Sequence, residues 1–107
     1  MKINICGIEY TVTAVNDTKD VCHDKSGKEM YGQIGYSKSS IRLWKTNEDR
    51  MQQVLLHEIL HGIVDGMGIR ELQEGGSHLE IPIEQLAVGL SMALKSMGVD
   101  VLSGLDK

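Results

Sequence analysis

Val54-Leu55-Leu56-His57-Glu58-Ile59-Leu60-His61-Gly62-Ile63 is the stretch on which the reading of this chain turns. Two histidines stand four residues apart, and a glutamate follows the first. On a helix, residues i and i+4 share one face about one turn apart, so both imidazoles can reach a single metal ion. Glu58 lies roughly 100° round the helix from His57 and need not be a ligand. It can face a metal-bound water and act as general base.

The neighbouring residues favour a metal over a chance pair of core histidines. The motif is embedded in an apolar run, with Val54, Leu55 and Leu56 before it and Ile59, Leu60, Ile63 and Val64 in and after it. Two imidazoles and a carboxylate are costly to bury in such surroundings without partners. A metal ion supplies the partner.

Outward from the motif, Thr46-Asn47-Glu48-Asp49 reads as a helix start, a capping residue followed by first-turn acids. At 100° steps Leu55, Leu56, Ile59, Ile63 and Met67 form one apolar stripe, with His57 and His61 about 40° apart on its flank. Gly62 leaves room for another segment to come close, and Gly66-Met67-Gly68 ends the helix.

Before the helix, residues 2–15 read as a hairpin: Lys2 to Ile5, a turn at Cys6-Gly7, then Ile8 to Val15. The polar stretch from Asn16 to Met30 reads as a loop. Strands are expected over Tyr31–Tyr36 and Ile41–Trp44, the latter with Ile41 and Leu43 on one face, and a turn over 37–40 joins them. After the helix, residues 69–79 form a loop containing Glu74-Gly75-Gly76-Ser77. Pro82 suits the first turn of a second helix, along which Ile83, Leu86, Ala87, Leu90, Leu94 and Met97 recur at three- and four-residue steps. Gly98 is its stop, and 99–107 is a short tail that either packs or frays. The expectation is one α+β domain over 1–107: a small antiparallel or mixed sheet of about four strands, packed on the motif helix and a second, C-terminal helix.

Composition narrows the function classes. The chain has 107 residues, 41% of them hydrophobic, with no Phe and one Trp, so the core is built from Ile, Leu, Val and Met. A net charge of −4 and the lack of any basic run speak against nucleic-acid binding. Met1-Lys2-Ile3-Asn4 does not open a signal peptide, and no apolar run is long enough to span a membrane. The expected setting is cytoplasmic, with Cys6 and Cys22 as reduced thiols. Cys22-His23-Asp24 lacks the ligand spacing of a metal cluster.

A catalytic zinc needs a third protein ligand and an open position for water. Asp65 continues the series, but three ligands at i, i+4 and i+8 on a straight helix span about 12 Å, too far for one ion. Glu84, in the first turn of the second helix, leads the remaining candidates, with Glu80 and His78 as alternatives. A first-turn acid that only complements the helix dipole is the plain reading of Glu84, and an exposed loop residue that of His78.

These residues resemble a family. The run from Val54 to Ile63, followed by Glu84-Gln85-Leu86-Ala87 opening a second helix, is similar to small gluzincin-like zincins of phages and mobile elements, distantly related to the ImmA/IrrE-type metallopeptidases. The resemblance covers roughly residues 31–97. It implies that His57, His61 and Glu84 hold Zn²⁺, with Glu84 as the glutamate of the family's E-x-x-A pattern, and that Glu58 is the catalytic base. It further implies a peptide or protein substrate received at a sheet edge among residues 31–44. The chain departs from metzincins, because Val64 and Met67 stand where those have Gly and His. It also lacks the glycine-rich and cysteine-bearing segments of peptide deformylases, and it is small for a peptidase. Two other readings stand beside peptide hydrolysis: a zincin-like zinc-binding module, weakly active or inactive, that binds a protein partner, and a hydrolase of another amide.

Overall fold

The structure is a computed structural model that describes residues 1–24, 27, 29–69 and 80–105. Of the expected loop over 69–79, residues 70–79, His78 among them, lie outside the described residues. Among the described residues four strands, β1 (Lys2–Ile5), β2 (Ile8–Val15), β3 (Gly32–Gly35) and β4 (Ser40–Trp44), precede two helices, α1 (Glu48–Met67) and α2 (Glu80–Ser96). The α+β class and the four-stranded mixed sheet match the sequence expectation.

The sheet order is β1-β2-β4-β3. β1 and β2 form the expected antiparallel hairpin, closed by Cys6 and Gly7 at φ 52° and 88°, with Asn4 Oδ1 accepting from Gly7 N at 2.9 Å. Positive φ at both turn residues gives the twist that a two-residue hairpin needs. β4 pairs with β2 in parallel and with β3 antiparallel. The chain from β2 therefore passes over 16–31, where a short 3-10 turn, Thr18–Asp20, interrupts the expected loop. β3 is left as a sheet edge.

Alternation sets which face is covered. Tyr10 and Val12 of β2 and Ile41 and Leu43 of β4 point inward and meet Met51 and Leu55 of α1. Leu102 and Leu105 join this cluster, so the tail packs rather than frays. Asn47 caps α1, its Oδ1 accepting from Arg50 N at 2.9 Å, and Gly68 ends the helix at φ 64°. Ile59 and Ile63 lie against the core. Met67, expected on the stripe, is exposed.

Two glycines set the distance between α1 and the sheet. A Cβ on Gly62 would lie 3.0 Å from Ile34 Cδ1 and 3.1 Å from Ile5 Cδ1. A Cβ on Gly32 would run into Val54 Cγ1 and touch Glu58 Cγ at 3.4 Å. α2 packs on α1 through Ile83 and Ala87, and through a buried polar link in which Gln52 Nε2 donates to Ser91 O at 3.2 Å and to Ser91 Oγ at 3.0 Å. The periodic residues Leu86, Leu90 and Met97 do not face this contact; they are exposed. Among the described residues no helix is long and apolar enough to cross a membrane.

The Cys22-His23-Asp24 stretch is structural. His23 Nε2 donates to Gln33 O and Nδ1 pairs with Ser40 Oγ, both at 3.3 Å. Cys22 Sγ donates to Asp24 Oδ1 at 3.0 Å, and Cys6 and Cys22 are not joined in a disulfide.

Two stability predictions follow from this packing. Gly32→Ala should lower unfolding free energy by about 1–3 kcal/mol, because the added methyl overpacks the β3–α1 contact. Urea denaturation measures it, and an unchanged midpoint would contradict the close approach. Burial holds the His23 imidazole below its ordinary value, although its bond to Gln33 opposes the shift. The unfolded chain therefore binds the proton more readily. His23 contributes stability above the unfolded pKa of about 6.5 and loses it as pH falls toward the lower folded value. The drop in urea midpoint from about pH 8 to pH 5 should be smaller in His23→Gln than in the wild type, and equal drops would refute the assignment.

Candidate metal centre

α1 and α2 each bring an i, i+4 pair to their mutual contact: His57 and His61 on one, Glu80 and Glu84 on the other. Residues with this spacing stack on one helix face, so two crossing helices bring four polar side chains together. The Nε2 atoms of His57 and His61 are 3.1 Å apart. Glu80 spans them, with Oε2 at 3.0 Å from His57 Nε2 and Oε1 at 2.8 Å from His61 Nε2. Glu84 approaches from the other side of the first ring, its Oε2 2.7 Å from His57 Nδ1.

The two glutamates thus occupy different places. Among the described residues, His57, His61 and Glu80 form the group whose ligand atoms lie within 4.8 Å of one another, and Glu84 is not in it. The sequence ranks Glu84 above Glu80 for that corner; the structure sets Glu80 there and Glu84 at His57 Nδ1. A carboxylate oxygen accepts, so Glu84 Oε2 can take the Nδ1 proton of His57 while Nε2 faces His61 and Glu80. This is the carboxylate–imidazole arrangement that orients a ligating histidine. Asp65 is exposed near the end of α1 and takes no part in the group.

Glu58 sits deeper. It is 7% exposed and lines a cavity of about 550 Å³ together with His57, Glu80, Glu84 and the β3 residue Gly32. Burial pushes its carboxyl up to about 7; His57 pulls against that rise, and the charges of Glu80 and Glu84 add to it. Burial also lowers His61, against the pull of Glu80. Tyr36 donates to the His61 carbonyl at 3.3 Å, and burial, with Asp65 and Glu58 adding to it, pushes its hydroxyl up to about 12.

Three residues of this neighbourhood went unremarked in the sequence. Tyr31 stacks on Trp44 with centroids 5.3 Å apart, and the Arg50 guanidinium lies 5.1 Å over the Tyr31 ring. Tyr31 and Arg50 line the cavity beside His57. The one sequence signal for this was helical: Arg50, Val54, His57 and His61 lie within a narrow arc of α1.

The donor set fits a metal ion. A tetrahedral ion with bonds of about 2.0–2.1 Å spaces neighbouring donors about 3.3 Å apart. The two Nε2 atoms, 3.1 Å apart, are close to that spacing, and each has a different Glu80 oxygen within 3.0 Å. Two imidazole lone pairs and a carboxylate converge there, and a cation relieves their mutual repulsion. No protein-family model, curated protein or solved structure matches this chain.

Glu84→Gln should weaken metal binding about 10- to 100-fold by loosening the orientation of His57. His57→Ala and Glu80→Gln should weaken it further, since each removes a donor. Calorimetric titration of the three variants with Zn²⁺ reads the order. A Glu80→Gln protein with wild-type affinity would remove Glu80 from the ligand set.

Proposed function

We propose that this chain is a zinc-dependent peptidase in which His57, His61 and Glu80 hold the metal and Glu58 is the general base. The observation that carries the reading is the buried carboxyl of Glu58, set in the cavity next to three converging donors. A metal that only braces the fold needs no base beside it. Two histidines and one carboxylate suit Zn²⁺ and leave a fourth position open. When bound, the metal supplies a Lewis acid that acidifies a water and polarises a carbonyl.

The protein's own groups do the remaining work. Glu58 accepts a proton from the attacking water at its carboxylate as the new C–O bond forms. It then delivers that proton to the departing amine as the C–N bond breaks. A carboxyl raised toward neutrality suits both transfers. Glu84 keeps the His57 ring turned with Nε2 inward. The edge strand β3, whose Gly32 lines the cavity, offers backbone groups to an extended peptide.

Glu58→Gln keeps the shape and removes the base. The expected result is a loss of peptide cleavage of about 10²- to 10⁴-fold, with metal stoichiometry and circular dichroism unchanged. A peptide library digested by the Zn²⁺-loaded wild type provides the assay. Equal cleavage by wild type and variant would sink the proposal. If the metal-loaded wild type cleaves no peptide, the reading as a metal-binding module that holds a protein partner replaces it.

A further inference from the structure

Arg50 is the one arginine or lysine among the described residues that line the cavity, where it stands against Glu29, Glu58, Glu80 and Glu84. Nothing local asks for a cation at this position. It is the third residue after the Asn47 cap, where the helix dipole favours an acid and where Glu48 and Asp49 precede it. Its neighbours three and four positions away are Thr46, Asn47, Gln53 and Val54, so α1 offers it no ion pair. Among the described residues no carboxylate pairs with its guanidinium.

The side chain is nevertheless held in place. The guanidinium lies 5.1 Å over the Tyr31 ring, which stacks on Trp44 with centroids 5.3 Å apart and planes 21° apart. Trp44 N donates to Tyr31 O at 2.8 Å, which ties the two ring-bearing residues together through the backbone. A cation over a ring keeps its N–H donors for an acceptor, and the planar fork of arginine matches a carboxylate. We infer that Arg50 is a specificity-determining residue, binding a carboxylate of the peptide about two or three residues from the scissile bond; this rests on the peptidase reading.

Spacing along the cavity gives that register. Gly32 lies against Val54 and Glu58, and Ile34 lies against Gly62, so β3 and α1 run in the same direction. Arg50, over Tyr31, marks the start of this path, and His57 and His61 lie farther along it. From Arg50 to His57 is about 10 Å along the helix axis and about 20° around it. An extended peptide beside β3 covers that in about three residues at roughly 3.4 Å each, or about two where its own side chain adds reach. The four glutamates repel a carboxylate elsewhere in the cavity, so pairing at Arg50 also rejects shifted registers. A peptide antiparallel to β3 brings its C-terminal side to Arg50, and a parallel one its N-terminal side. The carboxylate belongs to an acidic side chain or, in the antiparallel case, to the peptide's own C-terminus.

Peptide hydroxamates anchored on Zn²⁺ test this by binding, with no cleavage needed. One series carries the hydroxamate at the C-terminus of the peptide and the other at its N-terminus, so the chain extends to either side of the metal. In each, Glu is compared with Gln at the second and the third residue from the hydroxamate. The second series is made both as free acid and as amide. Calorimetric titration of the Zn²⁺-loaded wild type should show a carboxylate-bearing ligand binding about 10-fold tighter than its uncharged twin. The series and position that show the preference tell an acidic side chain from a C-terminus. Arg50→Gln should remove the difference, and Arg50→Glu should reverse it. A wild type that binds the hydroxamates without discrimination overturns the inference and leaves the peptidase reading standing. A preference that survives in Arg50→Gln does the same. A protein that binds no member of either series overturns both.

Discussion

The close approach of α1 to the sheet is the constraint on which the rest depends. Gly32 and Gly62 make it possible, because each stands where a side chain would collide with the opposite layer. At that distance Glu58 is covered by β3 and His57 is left at the rim of the cavity. The same helix thus turns Met51 and Leu55 into the core and its polar motif toward solvent-accessible space. A wider spacing would solvate Glu58, and with it would go the desolvation that raises its carboxyl.

The contact between α1 and α2 is unusually polar for two helices on a small sheet. Apart from Ile83 and Ala87, it is made by Gln52 with Ser91, Asp49 with Lys95, and the histidines with the two glutamates. Each of these pairs fixes the register of α2 along α1, because a shift by one turn would unpair several buried or half-buried groups at once. The same use of polar residues has a consequence on the far side. With its charges facing α1, α2 keeps mostly apolar and small residues, with Gln85, on its outer face.

Much of this was legible from local rules. The cap at Asn47, the stop at Gly68, the hairpin at Cys6-Gly7 and the inward alternation of Ile41 and Leu43 all depend on residues within a turn or two of one another. The pairing of β4 with β2 in parallel depends on the path of the chain over 16–31, which no local pattern encodes. The periodic residues of α2 divide between buried and exposed for a related reason. Leu86, Leu90 and Met97 repeat at helical steps as core residues do, yet a periodic stripe identifies an apolar face without saying what covers it.

The sequence by itself determined the helix that carries His57, Glu58 and His61, the pair of acids on the second helix, and the sheet that backs them. These follow from backbone propensities and from side-chain periods of two and 3.6, which act over short distances along the chain. Only the tertiary structure decided which acid goes where. Glu80 and Glu84 are one turn apart on the same face and chemically identical, so no local rule separates them. The height at which α2 crosses α1 does: it sets Glu80 against both Nε2 atoms and Glu84 behind His57 at Nδ1.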